Sequence, residues 1–186
     1  MTKVFIAGSR RLSRLNQDVK RRVDNIIQKS FIVIVGDANG VDKAVQRYLN
    51  SRHFTNVVVF CMEGGCRNNI GAWPTRTISA ADPSRRDFAY YSTKDRAMVD
   101  EADYGLMLWD GQSRGTLTSI VQLVRQGKPV LVYIAPDKSF CTLRQSHDLA
   151  EMLGRFNPVA LHEIDRDLQA VATGGSNRKA RTALLF

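Results

Sequence analysis

Two spacings of apolar residues alternate along this chain, and their order already suggests an architecture. Residues 4–7 form a short apolar run that stops at Gly8-Ser9-Arg10-Arg11, the pattern of a strand ending in a glycine loop. Between residues 16 and 29 the apolar positions become Val19, Val23, Ile26 and Ile27, one stripe on a helix. Residues 31–35 are continuously aromatic or β-branched, as expected of a strand covered on both faces in a parallel sheet. The loop 36–40 follows, and then Val41, Ala44, Val45, Tyr48 and Leu49 repeat the helical stripe before another buried strand at 57–61. After residue 86 the alternation resumes. Phe88, Tyr91, Met98 and Ala102 mark a helix, 104–108 a strand, and 109–115 a polar glycine loop. Leu117, Ile120, Val121 and Val124 form the next stripe, which Gly127-Lys128-Pro129 ends before a fifth strand at 130–134 and a further helix between 143 and 153. Strand, glycine loop and helix therefore repeat at least three times, which predicts an α/β Rossmann-like, doubly wound, mostly parallel sheet of about five or more strands.

Residues 62–86 interrupt this order. Gly64, Gly65, Gly71, Pro74, Pro83, Trp73 and four arginines give no usable period, so the segment reads as a long loop, either a lid or binding element or a disordered excursion. The domain is expected over 1–158, with 159–186 as a C-terminal extension that ends in a glycine- and arginine-containing tail.

Composition narrows the class. The longest apolar runs fall far short of the roughly 20 residues that span a bilayer, so no membrane partner is expected. The N-terminal residues lack a signal-peptide pattern, and cytoplasmic localisation is expected. Cys61, Cys66 and Cys141 form no CxxC pair and read as ordinary thiols. His53, His147 and His162 do not pair with cysteine at zinc spacing, so no metal is expected, nor is any cofactor. The formal charge is +9, and +8 of it lies in residues 1–93. An anion attracted to this protein is attracted by its first half.

Ligands of doubly wound sheets bind beyond the carboxyl ends of the strands, so the strand-end loops are the candidate site. Gly8, Ser9, Arg10 and Arg11 in the first loop, Gly36, Asp37, Asn39, Gly40 and Asp42 in the second, and Gly111, Ser113, Gly115 and Thr116 in the third are candidates for holding a phosphate-bearing ligand. Helix-start amides bind anions, and glycines let a phosphate approach the main chain. Neither a Walker signature nor GxGxxG is present, which argues against a P-loop NTPase or an ordinary dinucleotide dehydrogenase. Asp95 falls on the inward stripe of its helix, where a carboxylate needs either an ion-pair partner or a catalytic task. Asp110 reads either as a turn-former before Gly111 or as a group that accepts ribose hydroxyls or protonates a leaving group.

The ordered set Gly8-Ser9-Arg10, Gly36-Asp37-Ala38-Asn39-Gly40-Val41-Asp42 and Trp109-Asp110-Gly111-Gln112-Ser113-Arg114-Gly115-Thr116 resembles the SLOG superfamily. This Rossmann-like group includes the cytokinin-activating (Lonely Guy) phosphoribohydrolases, the DNA-processing protein DprA and nucleotide-sensing domains of bacterial conflict systems. The resemblance covers residues 3 to about 134 and is closest to small bacterial and phage members of unassigned function. It implies a nucleotide-type ligand with its phosphate at the helix start Gly115-Thr116 and its sugar near the first two loops. In the phosphoribohydrolase branch a catalytic Glu follows the Gly-Thr pair after two residues, whereas here Leu117 and Thr118 are followed by Ser119. That branch also has an Arg where this chain has Lys94, four residues before Met98. The first expectation is thus binding of a nucleotide or nucleotide-derived molecule, with turnover left open. One alternative is hydrolysis of the N-glycosidic bond of a nucleoside phosphate, with Asp95 or Asp110 catalytic and Lys94 on the phosphate. The other is DprA-like nucleic-acid binding through the basic first half with Trp73, Tyr90 and Tyr91. Homo-oligomerisation is open on this reading.

Overall fold

Because successive strand side chains point to opposite faces, apolar residues on every position of a strand require cover on both sides, and the computed structural model supplies it. It describes residues 1–80 and 88–155, so Pro83, the arginines at 85 and 86 and the extension 159–186 lie outside the described residues. The described chain runs β1 (Lys3–Gly8), α1 (Gln17–Gln28), β2 (Ile32–Gly36), α2 (Val41–Ser51), β3 (Val57–Met62), β4 (Thr75–Ile78), α3 (Phe88–Glu101), β5 (Tyr104–Trp109), α4 (Arg114–Arg125), β6 (Val130–Ile134), β7 (Ser139–Leu143) and α5 (Ser146–Gly154). One seven-stranded sheet has the order β4-β3-β2-β1-β5-β6-β7. All neighbours are parallel except β7, which runs antiparallel to β6 at the edge. This is the Rossmann-like α/β fold that the periodicities predict.

The two faces divide the helices. Val4 and Ile6 of β1 meet the stripe Val19, Val23 and Ile26 of α1 and Val41, Val45 and Leu49 of α2 on one face. Phe5, between them, points to the other face, with Met98 and Val99 of α3, Ile120 and Leu123 of α4, and Leu149 and Met152 of α5. The chain leaving β1 therefore turns to one face, and the chain leaving its neighbour β5 turns to the other. The gap between these departures, at the carboxyl edge, is the crevice where doubly wound sheets hold ligands.

The segment without periodicity is described as far as Ala80. Trp73 is buried and donates its indole N–H to the carbonyl of Phe54 at 2.9 Å, while the Asn69 side chain bonds both the amide and the carbonyl of Trp73. β4 then pairs with β3 as the sheet edge. A four-residue edge strand with exposed Thr75, Arg76 and Thr77 has no alternation to read. A second departure concerns sulfur. Cys61 and Cys66 are joined in a disulfide, so two of the three cysteines are not thiols. Only Cys141 is free, and burial pushes its thiol up to about 11.

Candidate functional site

The carboxyl edge holds a cleft of about 510 Å³ lined by all three strand-end loops and by α3. Of the residues singled out by sequence, it brings together Gly8, Ser9, Arg10, Arg11, Asp42, Lys94, Asp95, Asp110, Ser113, Gly115 and Thr116. Gly36, Asp37, Asn39, Gly40 and Gly111 do not line it. Residues not picked out for the loops, Arg67, Gln112 and Ser119, do.

Two glycines do a different job from the one their positions suggest. A Cβ on Gly40, whose φ is +83°, would lie 2.4 Å from the Arg10 Cα, and one on Gly8 would lie 2.3 Å from the Leu108 carbonyl oxygen. The space opened by these glycines is filled by neighbouring protein, not left for a phosphate. They let the first and second loops lock, an arrangement that the Val41 amide completes by donating to the Ser9 carbonyl at 3.2 Å.

Asp37 is likewise absorbed into the scaffold. Only 1% exposed, it accepts the Arg67 guanidinium at 2.7 and 3.2 Å, the Arg67 amide at 3.0 Å and the Lys94 ammonium at 2.6 Å. Desolvation alone would raise its pKa, but the bonds from Arg67 and the charge of Lys94 outweigh it and hold the carboxylate well below the usual range. Gln46, fully buried, extends this ordering: its amide nitrogen donates to the carbonyls of Gly36 and Asn68, and its oxygen accepts from the Ile70 amide. The aperiodic segment is thereby fastened to the second loop. Nothing in the sequence spacing of Arg67 and Asp37, thirty residues apart, announces this contact.

The other two interior carboxylates behave oppositely. Asp42 is buried beside Gly36, where an added Cβ would come within 2.4 Å of its Oδ2, and it accepts from the Ala38 amide at 3.1 Å. Burial, reinforced by Asp95 and Asp37 and opposed by Lys94, raises its pKa to about 7. Asp95 has no hydrogen bond or ion pair among the described residues, although it lines the cleft beside Lys94. Lys94 is engaged with Asp37 instead. Burial again dominates and raises the Asp95 pKa, while Lys94, Arg10 and Arg67 pull it down. Among the described residues no ion pair holds this inward carboxylate, although the charges of Lys94, Arg10 and Arg67 act on it. Asp42 and Asp95 are two carboxyl groups in one cleft, both shifted toward the neutral form, a usual setting for proton transfer.

Asp110 is a turn-former. Its Oδ1 accepts the amides of Ser113 and Gln112 at 2.7 and 3.1 Å, and its Oδ2 accepts the Ser9 hydroxyl at 2.6 Å. Against the upward pull of desolvation these donors lower its pKa, so it is ionised and does not donate a proton at neutral pH. Ser113 caps α4, and Thr116 donates its hydroxyl to the Ser113 hydroxyl at 2.9 Å. The first turn of α4 contains no acidic residue. Gly115, at the second helical position and in the cleft wall, has an amide with no intrahelical acceptor, at the positive end of the helix dipole. Ser119 is buried there and spends its hydroxyl on the Gly115 carbonyl at 3.2 Å. Near the mouth, the Arg10 and Arg67 guanidinium groups lie 5.4 and 4.9 Å from the centroid of the Tyr91 ring, and Arg11 donates to the Gln112 side chain at 2.5 Å. Trp73, in contrast, is in the core and offers no stacking face. Among the described residues no cluster of metal-ligating side chains occurs, and no helix is long and apolar enough to cross a membrane.

No family model and no curated protein matches the chain. Among solved structures, the fold is similar to that of DNA processing protein A (DprA) from Helicobacter pylori, described for its single-stranded DNA binding mode, with 17% identity, a TM-score of 0.54, and coverage of 70% of this chain and 64% of that one. It is also similar to DprA from Streptococcus pneumoniae, at 14% identity and a TM-score of 0.52, covering 70% of this chain and 50% of that one. This chain thus matches 64% and 50% of the length of these neighbours. At such identities the likeness is one of fold: a Rossmann-like sheet of the kind found in DprA.

Proposed function

We propose that the carboxyl-edge cleft binds a nucleotide, with its phosphate at the start of α4. The observation that carries this reading is the asymmetry of charge inside one cleft. The first turn of α4, capped by Ser113, carries no acidic residue, Asp110 ahead of it is already held by the Ser113 and Gln112 amides and the Ser9 hydroxyl, and exposed Arg10 and Arg11 flank it across the β1–β5 crevice. The volume of about 510 Å³ suits one nucleotide unit. Asp95, with no hydrogen-bond donor among the described residues, suits a hydroxyl or amino group of the sugar or base. If bound nucleotide is hydrolysed at its N-glycosidic bond, Asp95 with Asp42 is better placed to move the proton than Asp110, which is fully engaged in its turn. The test is calorimetric titration with 5′-AMP of wild type and of Gly115→Asp, with chromatography of the incubated mixture for free base. Saturable binding that disappears in Gly115→Asp supports the site, and absence of binding to wild type by any 5′-nucleotide rejects it. Free base that is released by wild type and lost in Asp95→Asn assigns turnover.

A second reading, in which the nucleotide unit belongs to a single strand of DNA, is the one that the fold comparisons favour, since the Helicobacter pylori neighbour is described as a single-stranded DNA binder. Exposed Arg10, Arg11, Arg14 and Arg114 at the same edge, together with the Tyr91 ring, would serve a phosphate backbone and base stacking. Fluorescence anisotropy of a labelled oligothymidylate across a salt series separates the two. Steep salt-dependent binding that 5′-AMP does not displace establishes the strand as the ligand, and flat, weak binding rejects it.

A further inference from the structure

We propose that Cys61 and Cys66 form a reversible thiol–disulfide site that sets the order of Arg67, and through it the cleft wall. Cys61 lies in the buried end of β3 and is 1% exposed, whereas Cys66 is half-buried. Between them Gly64 and Gly65 adopt φ of +94° and +108°, and among the described residues no atom lies within 4 Å of where either Cβ would be. Of the two sulfurs, that of half-buried Cys66 is therefore the one an incoming thiolate would attack. Attack there by a dithiol breaks the S–S bond. Cys61 leaves as a thiolate and takes up a proton, and the second thiol of the reductant then displaces Cys66. The products are two protein thiols and the cyclic disulfide of the reductant. A small disulfide reverses the process by exchange and is itself reduced to two thiols.

The next residue is Arg67, which gives its amide and its guanidinium to Asp37 and lies over Tyr91 in the cleft. The disulfide anchors the chain one residue before this contact. Opening it returns conformational freedom to residues 63–66 and loosens the Arg67 end of a network that also holds Lys94. The oxidised form is therefore the one with a preorganised cleft wall. The effect on ligand affinity rests on the nucleotide reading above, whereas the thiol chemistry and its coupling to Arg67 do not.

The test compares full-length wild type after treatment with glutathione disulfide and after dithiothreitol. Non-reducing peptide mapping should show a Cys61–Cys66 cross-linked peptide in the first sample only. Amide hydrogen exchange at Arg67 should be about tenfold faster in the second, with Cys66→Ser matching the reduced protein in either treatment. Affinity for 5′-AMP should fall about threefold or more on reduction. Absence of the cross-linked peptide, or equal exchange at Arg67 in both states, overturns the proposal. AMP binding of equal strength in both states overturns its link to the ligand. A redox-dependent exchange rate in a protein that binds AMP in neither state keeps the thiol–disulfide site and rejects the nucleotide reading alone.

Discussion

Two helices begin at the cleft, and their first turns are opposites. The start of α2 follows Gly40, has no side-chain cap and carries Asp42 within its first turn, buried among its own chain. The start of α4 is capped by Ser113 and has no acid in its first turn. Both offer orphan amides and a positive dipole end, the ordinary requirements for anion binding. At α2 the first turn is occupied by the Asp42 carboxyl, which burial pushes toward the neutral form, next to the Asp37–Lys94–Arg67 network. At α4 the Asp110 carboxylate is held ahead of the helix by the Ser113 and Gln112 amides and the Ser9 hydroxyl, and the first turn itself carries no acid. Helix starts in glycine loops are thus not equivalent as sites. What distinguishes them is whether a carboxyl of the protein lies within the first turn.

The largest expected effect comes from breaking the closed side. Asp37→Ala leaves Lys94 buried and Arg67 without its carboxylate, and urea unfolding should show a loss of about 3–5 kcal/mol, far more than Asp37→Asn. A loss below about 1 kcal/mol would mean that the network contributes little net stability. Supplying an anion to the open side comes next. Gly115→Asp should cut 5′-AMP affinity roughly 30-fold or more, while thermal stability is unchanged or slightly raised because the charge suits the dipole.

Asp42 gives a pH signature that Asp37 cannot mimic. Its carboxyl is protonated in both states at low pH. As pH rises from 3.8 toward about 7, the unfolded chain ionises there while the folded one does not, so the stability it contributes is lost across that window. Asp37, shifted downward, has the opposite sign: its contribution is present above the ordinary carboxylate pKa and is lost as pH falls below it. Asp42→Asn should therefore flatten the melting temperature between pH 4 and 7 and stabilise the protein at pH 8 by something on the order of 2 kcal/mol. The same decline in wild type and variant would remove Asp42 as its source. Smallest is Arg10→Ala, expected to weaken 5′-AMP about threefold to tenfold with a shallower salt dependence and no change in melting temperature.

The sheet and its helices were legible because Val4 to Ile6, Ile32 to Val35 and the stripes of α1, α2 and α4 are buried by position, and burial imposes a period. β4 and β7 were not legible: Thr75–Ile78 and Ser139–Leu143 are edge strands, largely exposed, whose residues carry no alternation. Sequence marked the loops that line the cleft but not the division of labour within them. Asp37 and Asp42 sit in one motif, yet one is spent on Arg67 and Lys94 and the other is left near neutrality, a difference made by partners distant in the chain. Asp95 was visible as an inward carboxylate from helical spacing alone. That it has no partner among the described residues needed coordinates. The Cys61–Cys66 bond spans a glycine turn that spacing does not announce.

The most direct test of the open helix start is amide chemical-shift mapping of the ¹⁵N-labelled protein during titration with 5′-AMP. The account expects the largest shifts at Gly115 and Thr116, with smaller ones at Arg10 and Arg11 and little change at Asp42. Saturation without movement at Gly115 and Thr116 would contradict it.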